Sequence, residues 1–116
     1  MPPLNAPCDA TLLRIFIGDD DTFEEKLLAD EIILKARAMG LAGATATRGT
    51  LAFGPASRER QFELSLSEDR PIVIDIVDID AKIRSFLPIV EEMVESGLMI
   101  VQPVSVLRYG RKAPKA

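Results

Sequence analysis

The chain contains no histidine, and a single cysteine and a single tyrosine among its 116 residues. Without histidine it lacks the commonest general base and the commonest nitrogen ligand for metals. Cys8 alone makes neither an internal disulfide nor a thiolate zinc site, and it reads as an ordinary cysteine of a Pro-rich terminal stretch. No apolar run approaches the ~20 residues that a membrane-spanning helix needs. The opening "MPPLNAPCDA" has no basic region followed by an apolar core, so it does not read as a signal peptide, and a cytoplasmic location is the expectation. A net charge of −4 offers no concentrated positive field for gripping nucleic acid. Neither a Gly-rich P-loop with its Lys and Ser/Thr nor a dinucleotide fingerprint is present.

The residues that are there suffice for a core. With 47% hydrophobic and 28% charged residues the composition is that of an ordered domain, and the length predicts one. Residues 11–18, "TLLRIFIG", read as a strand. After "DDDT", Thr22 with Glu25 fits a capping box, and the acidic residues suit a helix start, so a helix is expected from there to about Met39. Gly40 supplies its stop. Leu28, Ile32, Ala36 and Met39 form its core stripe, with Leu27 and Leu34 off that stripe. Residues 43–53, 71–78 and 98–108 read as further strands, and a second helix is expected over about 80–96. Pro88 lies inside that helix, where its ring should kink or break it.

The order β-α-β-β-α-β defines an α+β, ferredoxin-like domain over residues 11–110, a four-stranded antiparallel sheet with two helices on one face. Residues 1–10 and 111–116 are expected as flexible tails. The second and fourth strands belong at the edges, and Pro103 in the fourth agrees with that. Strand one and strand three are apolar on both faces, yet two helices cover one face only. The other face then calls for a cover, either a second copy of the chain or a folded-over tail, and the oligomer is the favoured reading.

Three groups of residues carry candidate chemistry. The first is the connection "GPASRERQFELSLSED", residues 54–69, long and charged where small domains use short loops. Arg48 and Gly49 stand at its root. Glycine admits a close backbone approach, and arginine offers a planar fork matched to phosphate. A solvated charge or a salt bridge is the plainer role for each arginine, Arg58 and Arg60 above all. The second group is Asp19, Asp20 and Asp21, whose oxygens suit a hard divalent cation, though helix capping explains them more simply. The third is Asp75, Asp78 and Asp80. Asp78 or Asp80 is expected to cap the second helix, while Asp75, among isoleucines, requires a partner or exposure. No residue is read as catalytic and no metal site is expected.

"GATATRG", "IVDIDAKIRSFLP" and "GLMIVQPVSVLRY" resemble the DUF190 family of PII-like proteins, over Leu12 to Gly110. The resemblance implies a PII-like homotrimer, with no required cofactor, that binds an adenine nucleotide (ATP, ADP or AMP) between subunits. It implies that the 54–69 connection is the T-loop, a mobile signalling loop. A membrane transporter or another protein would be the partner of that loop, because some family members are associated with fluoride-exporter-like genes. On this view Arg48, Gly49, Gly54 and Arg108 face the nucleotide, and Arg58 and Arg60 face the loop's ligand or partner. Relatives often carry W-x-G-K-P-L-Y at the start of the first helix; here the chain reads "TFEEKLLAD", with Phe23 and Lys26 in place of the aromatic and the lysine. The alternatives are a CutA-like trimeric metal-tolerance module, which the lack of His disfavours, and a small enzyme of the dimeric ferredoxin-like barrel class, for which Tyr109 is the only tyrosine.

Overall fold

The computed structural model describes residues 4–49 and 70–111. In chain order they form β1 (Cys8–Gly18), β2 (Thr22–Phe23), β3 (Lys26–Leu27), α1 (Leu28–Ala38), β4 (Gly43–Arg48), β5 (Pro71–Asp78), α2 (Asp80–Met93) and β6 (Leu98–Val106). Four strands make one antiparallel sheet in the order β4-β5-β1-β6. This is the ferredoxin-like arrangement, with β4 and β6 at the edges and Pro103 on an edge strand as expected.

The core is dictated by alternation. On β1, Leu13, Ile15 and Ile17 point to the helix side, directly opposite Ile76, Ile74 and Ile72 of β5. Leu28, Ile32 and Ala36 of α1 and Ile83, Phe86, Val90 and Met93 of α2 close over them. All these residues are buried, and each of the large ones stabilises the fold by about 1.5–3 kcal/mol through burial alone.

The other face is built in rows. Thr45, Asp75, Arg14 and Ile100 lie side by side across the sheet, followed by Thr47, Val73, Phe16 and Leu98. Leu98 and Ile100 are exposed there. Nearer the start of β1, Ala10 and Leu12 are buried, as is Leu4 from the preceding segment, and none of the three belongs to the helix-side core.

Several expectations are corrected. β1 begins at Cys8, so residues 8–10 of the expected N-terminal tail belong to the sheet, paired with Val106, Ser105 and Val104. The first helix starts at Leu28, not near Thr22, and its N-cap, Leu27, has no side-chain capping bond. Thr22 and Phe23 instead pair with Leu27 and Lys26 in a small hairpin. Its two turn residues, Glu24 and Glu25, have φ of 50° and 69°. Two successive left-handed residues are the backbone of a type I′ turn, normally signalled by Asn-Gly. Two glutamates hide that signal and imitate a capping box instead. Pro88 does not break the second helix, which runs unbroken from Asp80 to Met93. Its N-cap is Ile79, with no side-chain capping bond, so neither Asp78 nor Asp80 caps it in the expected way. The stop of α1 is as expected. Gly40 takes φ +73°, and the N–H groups of Gly40 and Leu41 return to the carbonyls of Arg37 and Ala36.

Candidate functional site at the neck of the long connection

β1 ends, β4 ends and β5 begins at the same end of the sheet, because Gly18 pairs with Pro71 and Arg48 with Ile72. Both ladders run one step beyond the strands. The N–H of Asp19 donates to the Arg70 carbonyl at 2.9 Å, and the N–H of Gly49 to the Pro71 carbonyl at 2.8 Å. The neck is thus fixed by backbone bonds on both sides. Gly49 is required there for space, since a Cβ would sit 2.8 Å from Cγ of Pro71.

The loop after β1 is equally tied. Asp21 accepts the N–H of Gly18 on its carboxylate and the N–H of Leu28 on its carbonyl, both at 2.8 Å. Asp21 therefore shapes the turn that leads towards α1. Among the described residues no group of three or more His, Cys, Asp or Glu side chains is arranged to hold a metal ion.

Arg48 stands on β4's last position with a side chain 60% exposed. Among the described residues its one ion-pair partner is Asp19, with Nη1 3.7 Å from Oδ2. That distance makes an ion pair but not a hydrogen bond. An exposed pair of this kind contributes ~0–1 kcal/mol. The guanidinium fork therefore has no hydrogen-bond acceptor among the described residues, and its donors remain available.

Arg108 lies at the opposite end of the sheet. It follows the last residue of β6, Val106, which pairs with Cys8 at the beginning of β1. The neighbouring Tyr109 donates its hydroxyl to the carbonyl of Ala42 at 2.6 Å, just before β4 begins. Ala42 and Arg48 are separated by six strand steps, roughly 20 Å. Within one protomer Arg48 and Arg108 are not brought together. Gly54, Arg58 and Arg60 lie outside the described residues.

The acidic candidates in β5 and α2 have structural partners. Asp75 is directly opposite Arg14 and is gripped by both Nε (2.8 Å) and Nη2 (3.0 Å). The hydrogen bond with Asp75, and then its charge, raise the Arg14 pKa above the usual arginine value. Asp78 is buried and accepts the N–H groups of Ala42 and Ile79. Asp80 accepts the hydroxyl of buried Thr11 at 2.8 Å and Nε of Arg84 at 3.2 Å. None of the three is a free carboxylate suited to acid–base work.

The family model of DUF190, described as Uncharacterized ACR, matches residues 10–106, and the chain belongs to that family. A UPF0166 protein of Aquifex aeolicus is 33% identical over 97 residues, 83% of this chain and 91% of the relative. A UPF0166 protein of Methanocaldococcus jannaschii is 29% identical over 100 residues, 85% of this chain and 93% of the relative. A PII-like affiliation is consistent with the family and with the ferredoxin-like fold.

Proposed function

We propose that the protein is a non-enzymatic, PII-like regulatory protein of the cytoplasm. It binds an adenine nucleotide in clefts between the subunits of a homotrimer and signals through the connection between β4 and β5 to a protein partner, such as a membrane transporter. The observation that carries this reading is Arg48, an exposed guanidinium with no hydrogen-bond acceptor among the described residues, set on a rigid strand end beside Gly49. A preformed cationic fork next to a glycine suits phosphate oxygens. One further feature supports it. The exposed Leu98 and Ile100 on the face away from the helices give a subunit contact its apolar surface.

The test is a thermal-shift titration with ATP, ADP and AMP. Binding to the native state raises Tm with ligand concentration, by an amount equivalent to ~2.7 kcal/mol at 100 times Kd. The expected result is a dose-dependent rise for the native chain and a much smaller one for Arg48→Ala. No rise with any of the three nucleotides overturns the reading.

A further inference from the structure

The neck holds a second arginine. Arg70 is the last residue before β5 and is exposed. The Asp19 N–H bond to its carbonyl extends the β1–β5 register, so Asp19 and Arg70 lie directly opposite, one step beyond Gly18 and Pro71. Alternation along the strand then puts Arg70 on the same face as Ile72. Arg48 is opposite Ile72 and shares that face. Arg48 and Arg70 are therefore diagonal neighbours across the neck, with Cβ atoms about 7–8 Å apart. Asp19 sits between them, opposite Arg70 and 3.7 Å from Arg48. Its carboxylate accepts no hydrogen bond from either guanidinium. Asp21 accepts the Gly18 N–H on Oδ2.

We infer that Arg70 is a second anion-binding residue of the neck and that, with Arg48, it makes the site select two linked phosphates over one. This rests on the nucleotide reading above. Each guanidinium is a planar fork for one phosphate, and the spacing leaves the two forks free to close on neighbouring phosphates of one chain. The backbone bonds of Asp19 and Gly49 fix the distance between the two arginine Cα atoms, so neither arginine has to be brought to the site. A monophosphate engages one fork and leaves the other idle.

Isothermal titration of the intact chain with ADP, AMP, inorganic pyrophosphate and inorganic phosphate tests this. The native chain is expected to prefer ADP to AMP, and pyrophosphate to phosphate, by at least tenfold. Arg70→Ala is expected to remove most of both preferences while leaving the affinity for AMP within about threefold. Arg70→Lys should restore them in part, because it keeps the charge and loses the fork. An unchanged ADP-to-AMP ratio in Arg70→Ala overturns the inference and leaves the nucleotide reading standing. Arg70-dependent binding of pyrophosphate with no binding of either nucleotide upholds the inference and overturns the nucleotide reading. Absence of binding for all four probes overturns both. Arg70 is exposed, so its variants should fold; an unchanged Tm without ligand separates loss of binding from loss of structure.

Discussion

Lys82 places its ammonium 2.8 Å from the carboxylate of Asp78, one turn back along the chain, and 2.9 Å from the carbonyl of Gly40. The pair joins three elements at the end of the sheet remote from the neck. Asp78 ends β5, Lys82 belongs to α2, and Gly40 with Ala42 forms the turn from α1 into β4. Asp78 also takes the N–H groups of Ala42 and Ile79, so both its oxygens are engaged inside the fold. Asp78→Ala strands a largely buried ammonium and two amide groups. Breaking a buried pair in this way costs ~3–5 kcal/mol. Lys82→Met should cost less, because the two N–H donors still satisfy the carboxylate. Urea unfolding of the two variants measures both, and equal losses would show that the backbone bonds to Asp78 carry no weight.

Glycines 97 and 43 give a contrast. A Cβ on Gly97 would lie 2.6 Å from the backbone carbonyl oxygen of Phe16, in the last pair of the β1–β6 ladder. That oxygen cannot move without disturbing the β1–β6 ladder. Gly97→Ala is expected to lose ~1–3 kcal/mol, as overpacking does. A Cβ on Gly43 would meet nothing within 4 Å. Gly43→Ala should leave Tm unchanged or raise it slightly. Thermal melts of the two variants decide it, and a tolerated Gly97→Ala would mean that β6 sits further from β1 than the structure places it.

The fold was readable where packing follows a period. Ile72, Ile74 and Ile76 fix the inner face of β5, and Ile83, Phe86, Val90 and Met93 fix that of α2. The start of the first helix was not readable, because Thr22 and Glu25 satisfy the local rule for a cap while their backbone belongs to a hairpin turn. Long-range pairing decides there, and a short window of sequence does not contain it. The same holds for the site. Arg48 was visible beside Gly49 at a strand end. Arg70 was not, because its place opposite Asp19 follows only from the β1–β5 register, between residues 51 positions apart. Arg108 lies at the far end of the protomer from Arg48, so the expected cleft between subunits is the one place where the two could meet. Asp75 gave a correct signal, a carboxylate in need of a partner, but its partner Arg14 is distant in sequence.

The hairpin tip yields a stabilising substitution. Glu24 and Glu25 adopt left-handed φ values that cost a residue with a Cβ ~1 kcal/mol or more. Glu25→Gly removes that cost in the folded state, at the expense of a more flexible unfolded chain. The net gain is expected at about 0.5–1 kcal/mol, or a few degrees in Tm. A lower Tm in Glu25→Gly would show that the glutamate side chain makes a contact worth more than the strain.

The last prediction concerns assembly. Leu98 and Ile100 end their rows on the face away from the helices, beside Phe16 and Arg14 respectively. They are 46% and 37% exposed in the single chain, on an edge strand. Burying such residues against a second copy would gain ~1.5–3 kcal/mol each at full burial. Arg14 and Asp75 lie in the middle of the same face and are already paired, so covering them leaves no charge unmatched. The homotrimer proposed above uses this face. Light scattering at micromolar concentration should then report three times the 12.7 kDa chain mass. Ile100→Asp puts an extra charge, next to the already paired Arg14, into a contact that must exclude water. It should shift the native chain to monomers, while far-ultraviolet circular dichroism stays that of the folded protomer. Thr22→Asp, on the hairpin and away from this face, serves as the control and should leave the trimer intact. A monomeric native chain would remove the assembly and, with it, any nucleotide site built from Arg48 of one subunit and Arg108 of another. A trimer that survives Ile100→Asp would instead place the subunit contact elsewhere on the protomer.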